Sequence, residues 1–116
     1  MQTTKEQNTN NEARIQQLND RLRKTHTGGR IMLTIGIRSL ETSQIANIMQ
    51  AIANFSQFTP RNDPHSEHDC ATLEVEGIHI LWKIDYYDES LSLHSPDPAD
   101  PNVTVRILTV MTVDEY

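Results

Sequence analysis

The sequence has 116 residues, which is enough chain for one ordinary domain and too little for two domains with a linker. Hydrophobic residues make up 36% of it and charged residues 22%, a composition typical of a globular protein rather than a disordered one. The formal net charge of −6 argues against a general nucleic-acid coat protein, because such a protein needs a basic surface to meet phosphates.

The charge is unevenly distributed along the chain. Residues 1–30 hold six basic and three acidic side chains, a balance of +3, whereas the remainder holds four basic and thirteen acidic ones, a balance of −9. The sequence therefore predicts a basic arm on an acidic body. Such an arm could contact nucleic acid, or it could be a solvated helix that folds back on the acidic body.

Three features of the sequence bear on where the protein works. The single cysteine, Cys70, has no internal partner for a disulfide. No apolar run approaches the roughly 18 residues of a membrane span, and the first eleven residues are too polar for a signal peptide. We therefore expect a protein of the reducing cytoplasm that does not engage a membrane.

The N-terminal region divides into a tail and a helix. Residues 1–11 contain almost nothing to bury and are expected to be disordered, so that residues 12–116 form a single domain. In residues 12–24, Ile15, Leu18 and Leu22 recur at spacings of three and four, which predicts a short amphipathic helix. The paired glycines Gly28 and Gly29 then indicate a turn.

Residues 31–55 carry two clear periodicities. Apolar residues alternate through 31–37, the pattern of a half-buried strand. Residues 40–55 present apolar side chains at helical spacing, with Ser39 or Thr42 available as the N-cap, and this segment predicts the main helix.

A β-hairpin is predicted after a proline-containing loop at residues 58–69. Alternation through residues 71–76, a turn at Gly77 and further alternation from 78 to 87 indicate two paired strands. The second strand places an apolar stripe on one face, made up of Ile78, Ile80, Trp82, Ile84 and Tyr86. His79, Lys83, Asp85 and Tyr87 share its other face.

The C-terminal part consists of a stiff loop and a last strand. Three prolines in residues 95–101 exclude a helix or a strand interior. Residues 103–113 contain eight β-branched residues and predict a strand, although Asp100 and Pro101 would also suit the start of a helix. The sum is an α+β domain, with one main helix packed on a roughly four-stranded, largely antiparallel sheet and a short N-terminal amphipathic helix.

The densest group of potentially reactive side chains lies in the loop string NDPHSEHD, which contains two histidines and several carboxylates. Imidazole and carboxylate are ligands of Zn and Mn, and an aspartate on the polar face of the hairpin could add a third ligand. The candidate metal ligands are His65, Glu67, His68, Asp69 and Asp85. The same groups could perform acid–base chemistry without a metal.

Structural roles are the favoured explanation of the same residues. Asn62, Asp63 and Asp69 could cap turns while the histidines bond to the loop backbone. Lys83 could pair across strands with Glu74 or Glu76. Cys70 could be a nucleophile, but a small buried residue at the start of a strand is the favoured interpretation.

Several strings in order resemble one bacterial family, known as domain of unknown function 3768. They are LNDRLRKT, GGRIMLTIGI, FTPRNDPHSEHD, LEVEG, WKIDYYD, SPDPADP and LTVMTVDEY, from about Ile15 to Tyr116. Thr112 stands where a larger aliphatic residue would be expected. The resemblance implies a bacterial protein often carried on mobile elements, with no assigned activity and therefore no catalytic residue to transfer.

Three functions follow from these observations. The leading hypothesis is a non-enzymatic protein of a mobile element that binds, and could inhibit, a basic protein partner such as a nucleic-acid-handling or defence factor. The carboxylates expected to bind that partner are Glu74, Glu76, Asp88, Glu89, Asp97 and Asp100. The alternatives are a metal-dependent hydrolase that uses the NDPHSEHD loop and a small DNA-associated regulator. The regulator would use the basic residues Arg14, Arg21, Arg23 and Lys24.

Overall fold

The computed structural model describes the backbone of residues 4–116 and the side chains from residue 10 onward. Its helices and strands are α1 (Thr4–Thr25), β1 (Arg30–Leu33), α2 (Ile35–Arg38), α3 (Thr42–Asn54), β2 (Cys70–Val75), β3 (Ile78–Tyr87) and β4 (Val105–Thr112). A 3-10 turn, Val113–Glu115, follows β4. Within this described part of the chain, no helix combines the length and the apolar character needed to cross a bilayer.

The four strands form one sheet in the order β1-β4-β3-β2. The β2–β3 and β3–β4 pairs are antiparallel, and β1 runs parallel to β4. A parallel pair needs a long connection, and α2, α3 and the hairpin supply it here. The predicted α+β fold with a largely antiparallel sheet is confirmed.

One face of the sheet carries the hydrophobic core. The predicted stripe of β3 lies on this face, where Ile80 and Trp82 are fully buried. Residues from all three helices, among them Leu22, Ile37 and Ile52, belong to the same cluster. The helices therefore pack on this face, whereas Met111, also buried, projects from the other face.

The first helix is longer than the sequence pattern predicts. It begins at Thr4 rather than at residue 12, so residues 4–11, which we expected to be disordered, are helical. Residues 1–3 of the predicted tail lie outside the described residues. The predicted apolar face is confirmed, because Ile15, Leu18 and Leu22 are all buried.

The prediction of one strand over residues 31–37 is wrong in its second half. The last rung of the β1–β4 ladder is the bond from Thr34 N–H to the Val110 carbonyl, 3.1 Å. The chain then makes the single helical turn of α2. This turn buries Ile37 completely and leaves Ile35 68% exposed, whereas a strand would have placed both on one face.

The N-cap of α3 is Glu41, so neither Ser39 nor Thr42 has the predicted role. Glu41 and Gln44 form a reciprocal capping box, in which the Glu41 N–H donates to the Gln44 side chain. Ser39 instead closes α2, where its hydroxyl donates to the Ile35 carbonyl.

The hairpin and the last strand follow the predictions. Glu76 and Gly77 both have positive φ, the pattern of a type I′ turn. Residues 95–101 form a loop, and β4 confirms the C-terminal strand. The alternative helix start at Asp100 is wrong, because this carboxylate accepts the Asn102 N–H within a turn.

Glu115 joins the end of β4 to the β1–α2 junction. Its carboxylate accepts hydrogen bonds from the Thr34 hydroxyl at 2.7 Å, from the Gly36 N–H at 3.0 Å and from the N–H and hydroxyl of Thr112. These donors, led by Thr34, lower the pKa of Glu115 to about 2.

We predict that Glu115→Gln lowers stability at neutral pH but not in strong acid. A carboxyl whose pKa is depressed by folding stabilises the native state above its ordinary pKa, and that contribution is lost as pH falls towards about 2. Urea unfolding of both proteins between pH 7 and pH 2 measures this. The stability difference should shrink below about pH 4.5, and a difference that is independent of pH would contradict the prediction.

Candidate functional site

The loop of residues 56–69 is anchored to α1 by His68. Its Nδ1 lies 2.9 Å from Asp20 Oδ1, and its ring stacks on Phe58 with 3.8 Å between centroids and 7° between planes. Its Nε2 is 3.8 Å from a carboxylate oxygen of Asp63. His68 is thus held by an aromatic ring and by carboxylates from two segments of the chain.

The loop is also shaped by internal caps. Asp63 is only 5% exposed, and its Oδ1 accepts the Glu67 and His68 backbone N–H groups at 3.1 and 3.3 Å. The Asn62 side chain accepts the Thr59 N–H at 2.7 Å. The prediction that Asn62 and Asp63 cap turns is confirmed, whereas His68 bonds to Asp20 rather than to the loop backbone.

A buried polar network continues from the loop into the sheet. Asn19 of α1 is fully buried and donates to the Glu67 carbonyl at 3.0 Å and to the Tyr86 hydroxyl at 2.8 Å. The Tyr86 hydroxyl donates in turn to Glu67 Oε1 at 2.8 Å. Arg106, 2% exposed, donates to Asn19 Oδ1 at 2.9 Å and to the Pro98 carbonyl.

Burial is the main cause of the raised pKa of Tyr86. The hydrogen bond from Asn19 opposes the shift, and the neighbouring Glu67 carboxylate adds to it. Tyr86 therefore stays neutral and serves as a hydrogen-bond donor. The network satisfies its polar groups internally and fixes the loop against the sheet.

The candidate metal ligands do not assemble around one point. His65 is exposed, and His68 lies on the helix side of the sheet. Asp85 projects from the opposite face, where it pairs with Lys83. In the described residues 4–116, no group of three His, Cys, Asp or Glu side chains is arranged to hold a metal ion.

The candidate ligands His68 and Asp85 line two separate cavities. One, of about 200 Å³, is lined by Phe58, Asp63 and His68. The other, of about 350 Å³, is lined by Asp69, Asp85 and His94. No cavity described here is shared by His65, His68 and Asp85, the arrangement that the hydrolase hypothesis needs.

Burial perturbs Asp69, which precedes β2, and Cys70, which begins it. It raises the pKa of Asp69, with a further contribution from the nearby Glu67. The pKa of the Cys70 thiol is raised by burial and by the Asp69 charge. Less thiolate is therefore available than on a free cysteine, which disfavours the nucleophile alternative.

Arg23 has a structural role in the interior of the protein. Its side chain is 1% exposed and donates to the carbonyls of Ile52, Ala53 and Phe55 at the end of α3, at 2.7 to 3.2 Å. Its second terminal nitrogen donates to Asp20 at 2.7 Å. The guanidinium also lies over the rings of Phe58 and Trp82.

The burial of Arg23 reduces the predicted nucleic-acid surface. Arg14, Arg21 and Lys24 are exposed, but Arg23 is unavailable to any ligand in solution. The sequence does contain a signal for the burial of Arg23. Asn19 and Arg23 follow Ile15 at steps of four and therefore lie beside the apolar stripe of the helix. Polar residues at those positions have to be satisfied inside the protein.

The six predicted partner-binding carboxylates lie at two ends of the sheet. Glu74 lies near the end of β2, and Glu76 lies in the hairpin turn, where it accepts a hydrogen bond from Asn47. Lys83 contacts Asp85 on its own strand rather than either of these glutamates. The other four carboxylates lie beyond the far end of β3, about 30 Å away along a strand of ten residues.

The carboxylates beyond β3 order their own loop. Asp88 accepts backbone N–H groups from Ser92 and Leu93, and such bonds, led by Leu93, lower its pKa. Asp97 and Asp100 each accept an N–H two residues ahead. Glu89 is exposed.

Comparison with known proteins gives a family without a described activity. Residues 33–115 match the family model described as "Protein of unknown function (DUF3768)". The match starts later than the resemblance predicted, which placed the first similar residues near Ile15. No curated protein and no solved structure matches the chain.

We predict that Arg23→Ala lowers the free energy of unfolding by about 3 kcal/mol, because it removes several charge-assisted hydrogen bonds and leaves buried carbonyls unpaired. Lys24→Ala, an exposed neighbour, should change it by less than about 0.5 kcal/mol. Urea denaturation monitored by Trp82 fluorescence measures both. Equal effects of the two substitutions would contradict the proposed role of Arg23.

His68→Ala is expected to cost about 1–3 kcal/mol of stability and to increase hydrogen exchange in residues 56–69, because the stack on Phe58 and the bond to Asp20 are lost. His65→Ala should leave both quantities unchanged. Denaturant titration and amide exchange of the two variants test this. A stable His68→Ala protein with an ordered loop would contradict the anchoring role.

Proposed function

The chain belongs to the DUF3768 family, and since that description assigns no activity, we propose from the structure that the protein binds a basic protein partner. The binding site is the acidic loop surface, defined as the side chains of Asp88, Glu89, Asp97 and Asp100. One observation carries the proposal: residues 84–105 contain these four carboxylates and Asp85 but no lysine, and no arginine.

The loop that bears this surface is held in place by hydrogen bonds at both ends. The Ser95 N–H donates to the Tyr86 carbonyl at 3.0 Å, and the Asp88 N–H donates to the Leu93 carbonyl at 2.9 Å. The Thr104 hydroxyl donates to the Asp97 carbonyl at 2.8 Å, and Arg106 binds Pro98 from beneath. A preordered loop loses little conformational entropy on binding, which favours affinity.

Two carboxylates near the middle of the protein are compensated by cationic side chains. Asp20 contacts Arg23 and His68, and Asp85 contacts Lys83. The loop carboxylates instead bond only to neutral backbone and hydroxyl groups among the described residues. Their charge therefore remains available to attract and orient a cationic surface.

A nucleic-acid-handling or defence factor fits this surface, because its basic groove complements clustered carboxylates. The setting we propose is the cytoplasm of a bacterium that carries a mobile element, as the family resemblance implies. Neither the hydrolase nor the DNA-regulator alternative gains support of this kind, since the candidate ligands are dispersed and Arg23 is buried.

We predict that Glu89→Gln, Asp97→Asn and Asp100→Asn together weaken binding to an arginine-rich peptide at least about tenfold, because three favourable charge contacts are lost. Asparagine retains the carbonyl oxygen that accepts the turn N–H, so the loop fold is preserved. Isothermal titration calorimetry at 50 and 300 mM salt measures the affinity, which should fall with salt in the parent protein.

A matched control carries Glu12→Gln, Glu41→Gln and Asp114→Asn. It removes the same net charge from sites outside the loop and should bind the peptide within about twofold of the parent protein. An equal loss of affinity in both triple variants would show a general effect of net charge and would overturn the proposal. No measurable binding of the peptide by the parent protein would do the same.

A further inference from the structure

Strand β2 lies at one side of the sheet. Its outer edge, defined as the side turned away from β3, has no strand beside it among the described residues. In a hairpin with a two-residue type I′ turn, the residues on either side of the turn, here Val75 and Ile78, exchange both hydrogen bonds. Every second residue of β2 counted back from Val75 bonds to β3 in the same way. The residues between them direct their N–H and C=O groups to the outer edge, and these are Cys70, Thr72 and Glu74.

These outward backbone groups are free to pair with another strand. Within the described part of the chain, no hydrogen bond reaches them from another backbone group. Edge strands of native proteins are commonly protected by a proline, a bulge or a lysine. The sequence of β2, CATLEV, contains neither proline nor lysine, and its six residues pair with β3 in unbroken register.

The helix side of the outer edge is incompletely covered. Leu73 and Val75 pack against the core cluster but remain partly exposed, whereas Ile80, which lies opposite Leu73 on β3, is fully buried. Apolar side chains of an added strand would cover the exposed parts of both residues, which favours binding through the hydrophobic effect. Because side chains alternate along a strand, such a segment needs apolar residues at every second position.

The charges near the outer edge favour a basic strand. Residues 62–82 contain five carboxylates, among them Glu74, but no lysine and no arginine. The helix that packs beside β2, α3, has no charged residue. Lys83 lies opposite Cys70, but it is paired with Asp85. An acidic strand would therefore be repelled at this edge, and a basic one attracted.

A cavity of about 370 Å³ adjoins the outer edge and offers room for a long side chain. It is lined by Thr72, Leu73, Glu74, His79 and Val113. A side chain opposite Glu74 on an added strand lies on the same face of the sheet as Glu74 and its cross-strand neighbour His79. An arginine or lysine in that position would lay its methylene stem along the cavity and keep its charge beside the Glu74 carboxylate.

We propose that the outer edge of β2 binds an extended basic segment of a partner protein as a fifth strand. Backbone hydrogen bonds to Cys70, Thr72 and Glu74 supply affinity, as is general for strand addition. Apolar residues of the segment cover Leu73 and Val75, and an arginine or lysine pairs with Glu74. The outer edge is separate from the acidic loop surface, so this proposal does not rest on the proposed function.

Two synthetic peptides of about eight residues test the proposal, one in which arginine alternates with valine and one in which glutamate alternates with valine. Both are titrated into the protein with the three loop substitutions described above, which weaken binding to the acidic loop surface. We expect the arginine peptide to bind at least about tenfold more tightly. Saturation with it should slow hydrogen exchange of the Cys70, Thr72 and Glu74 amides at least about tenfold. No binding of the arginine peptide, or unchanged exchange at these amides, would overturn the proposal.

A proline substitution tests the backbone contacts. Thr72→Pro removes one outward N–H but none of the bonds to β3, a position at which edge strands tolerate proline. It should weaken binding of the arginine peptide at least about tenfold, because the bond is lost and the proline ring blocks the approach of the added strand. Thr72→Ala keeps the N–H and should bind within about twofold of its parent. Thermal melts check the folding of both variants, and equal affinities would refute strand addition.

The charge contact is tested separately. Glu74→Gln should reduce the preference for the arginine peptide to about threefold or less, because the carboxylate that attracts the basic residue is lost. Glu12→Gln, the same change on α1, should leave that preference unchanged. A preference that survives Glu74→Gln would contradict selection by charge. Self-association of the parent protein that Thr72→Pro abolishes, measured by sedimentation velocity, would identify a second copy as the occupant and would also overturn the proposal.

Discussion

The buried guanidinium of Arg23 is the contact on which the packing of the helices depends. The end of α3 carries unpaired carbonyls with partial negative charge, and Arg23 of α1 reaches three of them. A cation in that position needs an anion nearby, and Asp20 supplies it while also holding His68. One side chain thus fixes α1 against α3 and, through Asp20, the loop of residues 56–69 against both.

This arrangement changes how the charge of the chain should be understood. Counting residues gives a basic arm and an acidic body, as if all the charges were free. In the folded protein Arg23 and Arg106 are interior groups, and Asp63, Asp88 and Glu115 order turns or junctions. A smaller set of charges therefore remains for external ligands. The loop after β3 holds four of its carboxylates, and none of the four has a cationic partner among the described residues.

Sequence periodicity predicted the helices and strands in which buried side chains recur at a regular spacing. The stripe of β3, the main helix and the hairpin turn all follow from spacing and from one glycine. The errors lie where a distant residue decides the local conformation: β1 ends where the Glu115 carboxylate captures Gly36, 79 residues away in sequence. Likewise, the structural role of Arg23 depends on carbonyls about 30 residues downstream, which no local pattern contains.

In the candidate site, too, local interactions could be predicted from the sequence and long-range contacts could not. Turn capping by Asn62 and Asp63 is a local interaction and could be predicted from residue type. The suggested meeting of His68 with Asp85 depended on which side of the sheet the loop would cover. Because Asp20 and Phe58 draw His68 to the helix side, the sheet itself separates it from Asp85.

The position of β4 has a consequence for synthesis of the protein. It follows the other strands in sequence yet lies between β1 and β3, so β1 has no strand to pair with until residues 105–112 have been made. A nascent chain that stops short of them has only the β2–β3 hairpin, and an isolated hairpin is marginally stable in water. The helices then expose their apolar faces, and folding must wait for a contact between distant parts of the chain, which slows it and makes it cooperative.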